Sequence, residues 1–141
     1  MGNTLTRKPI VIIPARGNSK RLARKNILPW QGLPLIAHTI KNIIASEVFS
    51  RVVVSSEDDE ILDCAEKFGA EPFKRNSSLS KDTSTVVEVC TEVINQFINY
   101  EYFCCIYATA VKLQPKTISD SFLEFNQNSN CNFLMGVSLY N

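Results

Sequence analysis

The run Pro9-Ile-Val-Ile-Ile-Pro14 constrains the chain more than any other feature. It is apolar at every position, rich in β-branched residues and closed by proline at both ends. A strand with no polar face must be covered on both sides, as in a parallel sheet clothed by helices. The rest of the chain supplies the helices. From Leu35, apolar residues recur as Ile36, Ile40, Ile43 and Ile44, a helical spacing with one core face. Arg51 to Ser55 reads as a second strand, and Asp58 to Phe68 as a helix with Ile61, Leu62, Ala65 and Phe68 inward and Gly69 as its stop. Ala70 to Lys74 is a weak third strand. Thr83 or Ser84 can cap a helix that carries Val86, Val89, Val93 and Phe97, with Glu88 near its start. Tyr102 to Tyr107 is a fourth strand, Ile118 to Phe125 a helix, and Asn132 to Leu139 a fifth strand. The expectation is an α/β fold, a mostly parallel Rossmann-like sheet flanked by helices and truncated at its C-terminus.

The 141 residues suit one domain, 1–141, with one core. A net charge of +1 gives no reason to expect nucleic-acid binding, and no apolar run approaches the ~20 residues that span a bilayer. The apolar stretch near the N-terminus is too short for a signal-peptide core. Five cysteines without metal-type spacing read as buried free thiols of a reducing cytoplasm.

In an open parallel sheet, ligands gather beyond the carboxyl ends of the strands. The loop after the first strand, Pro14 to Asn26, places Arg16, Lys20, Arg21, Arg24 and Lys25 in one short stretch beside the small residues Ala15 and Gly17. Small residues let backbone N–H groups turn inward, arginine offers a fork for phosphate, and lysine supplies a point charge. The pattern is neither a Walker A motif nor GxGxxG. A phosphate site and a solvated basic loop both remain open on these residues alone.

Longer stretches carry a resemblance. IPARGNSKRLARKN (13–26) resembles the IPARGGSKxIPxKN opening of the cytidylyltransferases for sialic, legionaminic and pseudaminic acids. The likeness continues through Gly32 to Ile40, VVVSSEDDEI (52–61) and AEKFGAE (65–71). RNSSLSKDTST (75–85) is similar to the family's RPxxLSxDxT segment, and CCIYATA (104–110) to the pseudaminic branch.

The resemblance implies a nucleotide site. Arg16 and Lys20 match triphosphate ligands, Lys25 a phosphate ligand, and Asn26 a contact on the nucleoside side. Arg16 and Lys25 match the residues that would serve catalysis. Arg75 matches an arginine set against the cytosine, and Ser84 with its neighbours a helix start whose backbone reads the base edge. Arginine can donate to the cytosine O2, and a helix N-terminus has free backbone groups, so the chemistry suits these two assignments. A surface ion pair with Asp82 is the other reading of Arg75, and Asp82 itself reads as a cap or loop brace. Tyr107 either lines the nucleotide pocket or packs. His38 reads as structural, and Glu57-Asp58-Asp59-Glu60 as the charged first turn of a helix rather than a metal site.

Three departures stand out: Ala23, Asn76 and Val111 occupy positions where the resemblance leads one to expect proline. The similar enzymes are also roughly twice as long. In them the further half holds most of the sugar pocket, a dimerisation arm and the aspartates for Mg²⁺, so no metal ligand is assigned here. The implied activity joins CTP to a nine-carbon acidic sugar, giving the CMP-sugar and pyrophosphate in a homodimeric enzyme. A non-catalytic CTP-binding module is the alternative. A uridylyl- or thymidylyltransferase ranks last, because the GxGTRL-type loop is missing.

Overall fold

A computed structural model describes residues 8–18, 22–81, 83–97 and 99–137. In chain order the elements are β1 (Ile10–Pro14), β2 (Pro29–Trp30), β3 (Leu33–Pro34), α1 (Leu35–Ala45), β4 (Arg51–Ser56), α2 (Asp59–Lys67), β5 (Glu71–Lys74), α3 (Val86–Ile94), β6 (Phe103–Cys105) and α4 (Pro115–Gln127). The main sheet runs β5-β4-β1-β6 and every pairing in it is parallel. The α/β expectation holds.

Pleating explains why β1 is apolar throughout. Successive side chains point to opposite faces. Val11 and Ile13 join one core with Ile36, Ile40 and Ile43 of α1, Ile61 and Ala65 of α2, and Ile118 of α4. Ile10 and Ile12 join the opposite core with Val53, Cys90 and Val93, the last two from α3. Ile10 to Ile13 are fully buried as a result.

Local signals fix the helix ends. The Asp58 carboxylate caps α2 by accepting from the Glu60 and Ile61 N–H groups. At the other end Gly69, at φ 91°, closes a Schellman motif. Its N–H reaches the Glu66 carbonyl at 3.0 Å, and the Ala70 N–H reaches the Ala65 carbonyl at 2.9 Å. The cap of α3 is neither Thr83 nor Ser84 but Thr85. Only Thr85 has a glutamate three residues on, so the Thr85 hydroxyl and the Glu88 carboxylate satisfy each other's backbone N–H groups.

The fifth strand is a second correction. Residues 132–137 form no strand, and 138–139 lie outside the described residues. Phe133, Met135 and Val137 are 74%, 70% and 84% exposed. Apolar alternation becomes a strand only through a ladder with a neighbour, and no described segment pairs with the outer edge of β6. The β2–β3 hairpin was not anticipated. Its signal is Gln31-Gly32, both at positive φ (47° and 81°), which matches a tight two-residue turn.

Candidate nucleotide site at the carboxyl ends of the strands

The switch point of the sheet lies between β1 and β6, where connections leave in opposite directions. A cleft of about 220 Å³ opens there, lined from the first loop by Arg16, Asn18, Lys25 and Asn26, and across from it by Arg75, Ser84, Thr85 and Tyr107. A larger hollow of about 550 Å³ sits at the amino ends of β1 and β4, lined by Lys8, Arg51, Phe97 and Tyr100 among others. Its cations are engaged elsewhere. Lys8 donates to the Glu47 carbonyl, and Arg51 pairs with Glu71 while lying over the Phe97 ring. The smaller cleft gathers three cationic side chains, Arg16, Lys25 and Arg75, at the carboxyl ends of the strands.

Backbone geometry shapes the phosphate-type loop. The Ala15 N–H continues the β1–β4 ladder to the Ser55 carbonyl at 3.0 Å. The Asn26 side-chain amide donates to the Arg16 carbonyl at 2.9 Å, tying the end of the loop to its start. Gly17 has no room for a side chain, because a Cβ there would meet the Asp58 carboxylate. Its N–H points to Glu57 Oε1 at 2.9 Å. Arg24, at φ 54°, pairs with Asp58 at 3.3 Å and Glu60 at 2.5 Å. The acidic run is thus spent on a helix cap and on loop contacts, with Asp59 held by Lys74.

Arg75 is the best-fixed side chain of the site. It is 3% exposed. Its Nε donates to Ser55 Oγ at 3.1 Å and its Nη2 to the Ser55 carbonyl at 2.6 Å, while Nη1 lies 3.8 Å from Glu57 Oε2. Burial pushes the guanidinium down from its ordinary value, Glu57 and then Glu92 push it back up, and Arg16 opposes them. The Asn76 N–H, which a proline would lack, donates to Glu92 Oε1 at 3.0 Å. That bond restores some of the rigidity that proline would have given.

Of the residues expected in the site, the structure brings together Arg16, Lys25, Asn26, Arg75, Ser84 and Tyr107. Ala15 is buried beneath the loop, and Gly17 faces the β4–α2 corner rather than the cleft. Lys20, Arg21 and Asp82 lie outside the described residues. His38 bonds the Trp30 carbonyl at 2.7 Å and meets the Trp30 ring edge-on, a structural role. Sequence reasoning did not single out Asn18, and it reached Thr85 only as a neighbour of Ser84, although its capping box signalled it.

The Mg²⁺ implied by the resemblance finds no fit here. No cluster of three ligating side chains occurs among the described residues, and Glu57 to Glu60 are each engaged as given above. No described helix is long and apolar enough to cross a membrane.

Residues 10–138 match the family model described as "Cytidylyltransferase". Pseudaminic acid cytidylyltransferase of Campylobacter jejuni subsp. jejuni serotype O:2 is 43% identical over 126 residues, covering 86% of this chain and 54% of that protein. CMP-N,N'-diacetyllegionaminic acid synthase of Legionella pneumophila is 36% identical, covering 75% and 45%. Among solved structures, CMP:2-keto-3-deoxy-manno-octonic acid synthetase complexed with CTP superposes with a TM-score of 0.76 at 19% identity, covering 87% of this chain and 49% of that one. That likeness supports the fold. The chain spans about half the length of these relatives. With its motifs in order and their side chains around one cleft, the chain belongs to the cytidylyltransferase family.

Proposed function

We propose that the chain is the nucleotide-binding part of an enzyme that transfers CMP from CTP to a nonulosonic acid. The observation that carries this reading is the convergence of Arg16, Lys25 and Arg75 on one cleft, opposite the N-terminal end of α3. Arg16 and Lys25 hold the triphosphate, and Lys20 belongs to the same set. Arg75 and the backbone near Ser84 read the cytosine, Asn26 fixes the loop on the nucleoside side, and Tyr107 closes the cleft. The anomeric hydroxyl of the sugar attacks the α-phosphorus, loses its proton, and the α–β anhydride bond breaks to release pyrophosphate. The cationic side chains offset the charge that grows on the leaving oxygen.

The sugar class rests on likeness to the named pseudaminic and legionaminic enzymes. A divalent cation, cytoplasmic location and homodimer belong to the same reading. The free thiols support a reducing compartment, and the outer edge of β6, which no described segment pairs, supports association of two copies.

Calorimetric titration with CTP, UTP and ATP tests the proposal. CTP binds tightest if Arg75 and α3 read the base. Arg16→Ala and Lys25→Ala each weaken binding by about 1.5–3 kcal/mol, while Lys8→Ala, at the other end of the sheet, leaves it unchanged. Equal affinities for the three nucleotides would show that only phosphates are recognised.

A further inference from the structure

Arg75 lies within electrostatic reach of two carboxylates, Glu57 from the β4–α2 corner and Glu92 from α3. The two are arranged alike. Each gives one oxygen to a main-chain N–H of a loop at the cleft: Glu57 Oε1 to Gly17 at 2.9 Å, and Glu92 Oε1 to Asn76 at 3.0 Å. Each keeps its other oxygen buried, with no hydrogen bond among the described residues. A buried carboxylate oxygen left in that state is costly unless a nearby charge compensates. Arg75 is the compensating charge beside Glu57, with Nη1 3.8 Å from Glu57 Oε2, and its field also extends to Glu92.

The consequence is geometric. The phosphate-type loop, the β5–α3 loop and the arginine between them are fastened to one another through side chains that do not themselves line the cleft. The Gly17 N–H is turned toward Glu57, while its neighbours Arg16 and Asn18 line the cleft on either side of it. We propose that Glu57 and Glu92 are paired positioning residues that fix Arg75 and its two flanking loops in a nucleotide-ready arrangement. This rests on the nucleotide reading of the cleft.

The test uses the full chain labelled with ¹⁵N. Amide exchange is followed at Gly17 and Asn76, with Val11 and Val53 as internal reports of the fold, and CTP and inorganic tripolyphosphate are titrated in parallel. Glu57→Ala speeds Gly17 exchange about tenfold, and Glu92→Ala does the same at Asn76, because each removes a charged acceptor. Glu57→Gln keeps an acceptor oxygen and the side-chain volume. It therefore preserves Gly17 protection, yet still weakens CTP binding about threefold because Arg75 loses a counter-charge. A space-filling role would leave that affinity unchanged.

Unaltered exchange at Gly17 and Asn76 in the alanine variants overturns the proposal. So does tighter tripolyphosphate binding by Glu57→Ala, which would make the carboxylate a competitor of phosphate. If the unaltered chain takes neither CTP nor tripolyphosphate, the proposed function falls, and the exchange data still decide whether the carboxylates hold the loops.

Discussion

The two edges of the sheet are built on different principles. β5 is guarded: Pro72 removes a hydrogen-bond donor, Glu71 pairs with Arg51 at 2.7 Å, and Lys74 pairs with Asp59 at 2.5 Å. Charge and proline are common means of keeping an edge from pairing further. β6 reads Phe-Cys-Cys with no charge, and Phe103 is 50% exposed. The ladders differ as well. β1 meets β4 over five positions and β6 over three. One wall of the cleft thus follows β5, which meets β4 over four positions and leads into Arg75. The other follows a three-residue strand whose outer edge no described segment pairs. The longer pairing and the guarded edge both lie on the side that carries Arg75.

That contrast breaks most readily in the cores under the two sides. Ile61, fully buried beneath β4, should cost about 3 kcal/mol when changed to alanine, whereas Phe103→Ala should cost about 1 kcal/mol or less. Urea unfolding measures both, and equal losses would mean that the β6 side is as firmly packed as the other.

Edge character gives a sharper comparison. The unaltered chain should self-associate weakly as its concentration rises. Phe103→Lys should lower that association about tenfold by placing a charge on the unguarded edge, while Lys74→Ala should not change it. Sedimentation velocity reads the difference. Association unaffected by Phe103→Lys would place the contact elsewhere.

The smallest effect is the contribution of β6 to a pH dependence. Burial, with a lesser push from Cys105, raises the Cys104 thiol from 9.0 to about 11. A group raised on folding stabilises the fold fully below its unfolded value and loses that contribution as pH rises through the folded one. Stability should therefore decline between about pH 9 and pH 11, and Cys104→Ala should flatten part of that decline in denaturation series. An identical slope in the variant would remove Cys104 from the account.

Much of this was legible in the sequence, for physical reasons. β1 had no polar face, so its double coverage followed from the pleat. Gly69 stood where a Schellman motif needs positive φ. The cap of α3 was misplaced by one residue because hydroxyls occupy three successive positions, and only the partner Glu88 selects among them. The strand at 132–139 was inferred from alternation, a local property, whereas pairing depends on a neighbour that composition does not reveal. In the site, residue types alone left the basic loop with Arg16 and Lys25 open between a phosphate site and a solvated surface, and it was the resemblance that singled out Arg75. Nothing in the type or spacing of Glu57 and Glu92 announced that they meet near Arg75, since that depends on how β4, α2 and α3 pack.

The loop that follows β6 is fastened from below by α1. Thr39 Oγ1 donates to the Ala108 carbonyl at 2.8 Å, and Asn42 Nδ2 to the Val111 carbonyl at 3.3 Å. Both bonds grip main-chain oxygens, which every amino acid possesses, proline included. The course of this segment is therefore held partly through its main chain, beside the packing of Ala108, Ala110 and Leu113 on the core. Val111 can stand where its relatives' pattern suggests proline without releasing the segment, and Thr109 or Lys112 could be exchanged on the same terms. For evolution, and for anyone redesigning this rim of the cleft, the scaffold and its chemical surface are separable parts, and the surface can be rewritten while the scaffold keeps its path.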